Sequence, residues 1–73
     1  MMTEESYKYI IERIVQNAFD SLEESKKNPK EAYYTAHKLA HYEILDIIKT
    51  ELFVRDADLK EFGLDIDLEK TFL

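Results

Sequence analysis

One tetrapeptide near the middle of the chain, Asn28-Pro29-Lys30-Glu31, does most to limit the fold. Asn is a good helix N-cap, Pro is favoured at the first helical position, and a Glu three residues past the cap completes a capping box. The tetrapeptide therefore predicts a helix starting at residue 29, after a very short turn. Stretches with helical periodicity flank it on both sides. Two long helices joined so tightly have to lie antiparallel, as a hairpin.

The first helix is predicted over residues 4–27. Thr3 is its N-cap, Glu4 and Glu5 put negative charge on the first turn, and Lys26 and Lys27 suit the C-terminus. Tyr7, Ile10, Ile11, Ile14, Val15, Ala18, Phe19 and Leu22 fall within about 180° of arc, with Glu12, Gln16, Asp20 and Glu23 opposite. The second helix, predicted over 29–53, has a wider apolar face made of two ridges. Tyr33, Ala36, Ala40, Ile44 and Ile47 form one ridge, which is expected to cover helix one because its alanines permit close approach. Tyr34, His41, Leu45, Ile48 and Leu52 form the other, and His37 lies between them. Thr35, Lys38, Tyr42, Asp46 and Lys49 make the polar strip.

Past Val54 the periodicity weakens. Asp58 with Glu61 reads as a capping box and Gly63 as a stop, which gives a short helix over 58–62. Residues 64–68 alternate apolar and acidic, the pattern of a half-buried strand, but a short helix capped by Asp65 fits equally well. The tail, 64–73, carries five large apolar side chains and is expected to dock on the hairpin. Residues 1–73 thus read as one all-α domain, an antiparallel two-helix hairpin with a short C-terminal helix and a docked tail.

The size of the chain points to a second copy. At 73 residues, folding buries only about 60% of the unfolded surface, and apolar gain roughly cancels conformational entropy. No cysteine is present to supply a disulfide. The second ridge is left facing outward, so a homodimer is expected, with Tyr34, His41, Leu45, Ile48 and Leu52 as its interface.

Composition excludes several functions. Ten Lys and Arg against sixteen Asp and Glu give a net charge of −6, which disfavours nucleic acid and anionic membrane as partners. One Gly and one Pro leave no room for a phosphate-cradling loop. No apolar run is long enough to span a membrane and the acidic start is no signal peptide, so a cytoplasmic chain is expected. With no Cys and no Ser placed beside a base, there is no nucleophile pair. No enzyme, cofactor or small-molecule substrate is expected.

His37 and His41 stand four residues apart on one helical face, a spacing that suits zinc. Within one chain the ligand count stops at two, and Lys38 stands where a zincin motif has its Glu. A four-histidine site across a two-fold axis is the one arrangement left for a metal. The commoner outcome is partly buried histidines bonded to hydroxyls, carboxylates or water. The acids from Asp56 to Glu69 lack the glycine of a calcium loop. They read as caps and a solvated face, or as a phosphate-like array that competes for a basic protein surface.

Ala40-His41-Tyr42-Glu43-Ile44-Leu45-Asp46, followed by Phe62-Gly63-Leu64, resembles a pattern in small uncharacterised helical proteins of Gram-positive phages and mobile elements. The likeness covers residues 33–64 and implies no activity and no functional residue. The function expected is that of a small non-catalytic interaction protein, acting on itself or on another protein. An acidic inhibitor that occupies a partner's nucleic-acid-binding surface is the alternative.

Overall fold

A computed structural model of the chain describes residues 3–73; Met1 and Met2 lie outside the described residues. The elements are helix α1 (Glu4–Lys27), helix α2 (Ala32–Val54), a 3-10 turn (Leu59–Phe62) and helix α3 (Leu68–Phe72). No strand occurs among the described residues. The two long helices pack antiparallel, and the tail lies along one side of the pair. The body is flat, 41 × 23 × 15 Å, too thin to surround either long helix.

Local chemistry sets most of the boundaries. Thr3 Oγ1 accepts from the Ser6 amide at 3.2 Å and caps α1, with Glu4 and Glu5 following in the first turn. The predicted start of α2 is corrected from residue 29 to Ala32. Asn28 does not open the second helix; it closes the first. Its amide and its Nδ2 both donate to the Glu24 carbonyl, at 3.1 and 2.9 Å. Asn serves at helix C-termini as well as N-termini, and Pro is common just past a helix end. Pro29 and Lys30 then form the turn, and Glu31 precedes α2 with no side-chain cap.

The 3-10 turn is capped by Asp58, whose carboxylate accepts from the Lys60 amide at 3.1 Å. Gly63 ends it in the left-handed region, at φ 73°. That reversal sends Leu64 into the core, where it is fully buried. Residues 64–73 form no strand. Their short helix is capped by Asp67 rather than Asp65, through a 3.2 Å bond from the Lys70 amide. Leu64, Leu68 and Phe72 are buried, so the tail docks through one side of each turn.

The core runs Val15, Ala18 and Leu22 from α1, Leu45 from α2, and Leu64, Leu68 and Phe72 from the tail. Phe19 and Phe72 meet with ring centroids 5.5 Å apart. This packing reverses the expected order of the two α2 ridges. Tyr33, Ala36, Ala40, Ile44 and Ile47 are exposed, whereas Leu45 is fully buried and Ile48 and Leu52 pack against the core. The reason lies on α1. Its buried Val15, Ala18 and Leu22 cluster with Leu64, Leu68 and Phe72 of the tail, and Leu45 completes that cluster, while Ser21 and Ser25 are buried further along the same helix. Both serines bond back to their own helix, Ser21 Oγ to the Ala18 carbonyl at 2.7 Å and Ser25 Oγ to that of Leu22 at 2.8 Å. Their burial therefore leaves no polar atom without a partner.

Candidate interaction surface

The face of α2 turned away from the core carries Tyr33, His37, Ala40, Ile44, Ile47, Glu51 and Val54, all exposed. Tyr33 keeps 69% of its surface, Ile47 64% and Ile44 44%. Successive members are four then three residues apart throughout, the spacing of a coiled-coil seam. Five of the seven are Tyr, Ala, Ile or Val, and none of the described residues covers them. On α1, Ile10 is also exposed; it lies two helical turns before Asn17, on the same side of the hairpin.

Aromatic rings organise the N-terminal end of this face. Tyr33 stacks on His37, with centroids 5.8 Å apart and planes at 29°. His37 meets His41 edge to face at 4.6 Å, and Tyr33 meets Tyr34 at 5.1 Å. His41 Nδ1 lies 3.0 Å from the His37 carbonyl. A carbonyl oxygen only accepts, so Nδ1 is the donor of this bond. The opposite end is held by an ion pair, Arg55 Nη1 to Glu51 Oε1 at 2.7 Å.

The five residues assigned to an interface from the sequence do not make one together. Leu45 is fully buried, and Tyr34, His41, Ile48 and Leu52 are half-buried along the contact with α1 and the tail. The correction moves the free apolar surface by about a third of a turn around α2. The four-three spacing marks both stripes of α2 in the sequence, and the packing of α1 and the tail decides which one stays free.

His37 and His41 line a groove of about 440 Å³ with Asn17, Asp20, Ser21 and Glu24. Among the described residues no three His, Asp or Glu side chains gather to hold a metal ion.

A second groove, about 620 Å³, lies on the tail side between α2 and residues 65–69. Tyr42 and Lys49, expected on a polar strip, belong to it. Tyr42 packs against the core, and the Lys49 ammonium donates to the Ile66 carbonyl. Burial pushes the Tyr42 phenol above its ordinary value, and the carboxylates of Glu69, Asp46 and Asp67 push it the same way. Asp65 completes an acidic rim around Lys49.

No protein-family model, no curated protein and no solved structure matches this chain. No helix among the described residues is long and apolar enough to cross a membrane.

Proposed function

We propose that this chain is a small, non-catalytic, cytoplasmic interaction module that acts by self-association through the outer face of α2. The observation that carries the reading is the uncovered seam of Tyr33, Ala40, Ile44, Ile47 and Val54 on a helix whose other apolar ridge is already used. Burying a side chain such as Ile47 is worth about 1.5–3 kcal/mol, a large share of the stability of so small a domain. Closed two-fold association is the commonest way for one chain to cover such a face.

Light scattering at high micromolar concentration is the test. The wild type should run as a dimer, and Ile44→Glu with Ile47→Glu as a folded monomer, because both positions are exposed in the single chain. A wild type that stays monomeric would overturn the reading.

A second reading draws on the tail-side groove, where Asp46, Asp65, Asp67 and Glu69 surround one lysine in a chain of net charge −6. Such a rim suits a basic protein surface that otherwise takes nucleic acid, and a likeness to small phage proteins is compatible with it. Capture of a nucleic-acid-binding protein by the wild type, lost in Asp46→Asn with Asp65→Asn, would favour it.

A further inference from the structure

The outer seam of α2 is arranged symmetrically about its own midpoint, and that symmetry constrains how a second copy sits on it. We infer that the two copies pack with α2 antiparallel to its counterpart and the two-fold axis passing beside Ile44. This rests on the self-association reading and adds orientation and register to it.

The seam has two polar members, His37 and Glu51. Each stands seven residues from Ile44, one before and one after. When antiparallel helices cross on an axis at Ile44, residues equidistant from it face each other. His37 then meets Glu51 of the partner subunit, twice over, once on each side of the axis. Size follows the same logic. Ala40, four residues before Ile44, lies across from Ile47 and Ile48, three and four after it, so a small side chain meets branched ones.

The ends match as well. Tyr33 lies eleven residues before Ile44 and Arg55 eleven after. Tyr33 is stacked on His37 and Arg55 is held by Glu51. Each copy therefore offers an aromatic pair at one end and an ion pair at the other, and the guanidinium comes over the tyrosine ring. A parallel pairing loses all of this. It sets Glu51 against Glu51, His37 against His37 and alanine against alanine, which costs like-charge repulsion and leaves a void.

Because the chain has no cysteine, single-cysteine variants read the register directly. Under mild oxidation Ile44→Cys should give a covalent dimer, since its two copies meet at the axis. Ala36→Cys and Glu51→Cys should not. Their copies lie about 24 and about 21 Å apart along the helices, at 1.5 Å per residue, and a disulfide needs Cα atoms within about 7 Å. Cross-linking at all three positions would establish a parallel pair and overturn the proposal.

Charge exchange gives an independent measure. His37→Glu should weaken dimerisation about tenfold, equivalent to about 1.4 kcal/mol, and adding Glu51→Lys should recover the loss. No recovery would also overturn it. The two failures are separable. A wild-type dimer in which Ile44→Cys does not link loses only the register, whereas a wild-type monomer loses the self-association reading itself.

Discussion

The two sides of α2 carry similar amounts of apolar side chain and have opposite fates. On one, Leu45 is fully buried where α1, α2 and the tail converge, and Ile48 and Leu52 pack beside it. On the other, Ile44 and Ile47 are exposed. Hydrophobicity alone does not separate them; what does is the presence of a matching surface within the same chain. The inner side meets Val15, Ala18 and Leu22 of α1 and Leu64, Leu68 and Phe72 of the tail. The outer side meets neither. A helix in a two-helix body has one intramolecular neighbour, and the tail adds half of another.

The contrast is broken most sharply by equal truncations on the two sides. Leu45→Ala removes a fully buried side chain at the junction of three elements and should cost about 2–5 kcal/mol, enough to unfold much of the protein. Ile47→Ala, two residues away, should change monomer stability by less than about 0.5 kcal/mol, as exposed positions do. Its effect should appear instead as weaker self-association. Denaturant unfolding at low concentration, paired with light scattering at high concentration, separates the two. Comparable unfolding free-energy losses for both variants would mean that the outer side is packed after all.

How legible these sides were depends on the range of the interactions that set them. The limits of α1 follow from Thr3, the glutamates after it and the lysines at its end, all within one turn of the boundary they fix. The stop at Gly63 is equally local. Asn28 suits both kinds of helix end, and the choice between them depends on which amides are left free in three dimensions. The ridge assignment failed for a longer-range reason. Adjacent stripes on α2 are equally apolar, and the choice between them is made by Val15, Ala18 and Leu22 on α1 and by Leu64, Leu68 and Phe72. No periodicity within α2 contains that information. The tyrosines show the same limit: Tyr42, on the polar strip by periodicity, packs on the core, whereas Tyr33, on the ridge expected to cover helix one, is exposed.

A smaller effect tests the turn that gives the inner side its third wall. Gly63 has φ 73°, and a Cβ there would meet Val15 Cγ1 at 3.7 Å, an ordinary contact. The cost of Gly63→Ala is therefore backbone strain alone, about 1–2 kcal/mol. Gly63→Asn should lose less, because Asn tolerates the left-handed region. Thermal melts of both variants check the order. An alanine variant as stable as wild type would show that the turn relaxes elsewhere and that Leu64 keeps its place without it.

The smallest effect concerns Tyr42, which sits on the inner side but against an acidic rim. Its phenol is held above the ordinary value by burial and by Glu69, Asp46 and Asp67, so the folded chain keeps this proton when the unfolded chain releases it. The neutral phenol's contribution to stability is fully present below about pH 10. As pH rises through that point the unfolded chain ionises first, and stability falls until the folded phenol ionises too. The melting temperature of the wild type should therefore drop more steeply across strongly alkaline pH than that of Tyr42→Phe. Every other ionisable group is common to the two proteins, so the difference between the two curves isolates this phenol. Ultraviolet absorbance should show a late phenolate component in the folded wild type that Tyr42→Phe lacks. Parallel melting curves would place the Tyr42 hydroxyl in free solvent, and the tail side of α2 would then be more open than its packing against Leu68 and Ile66 implies.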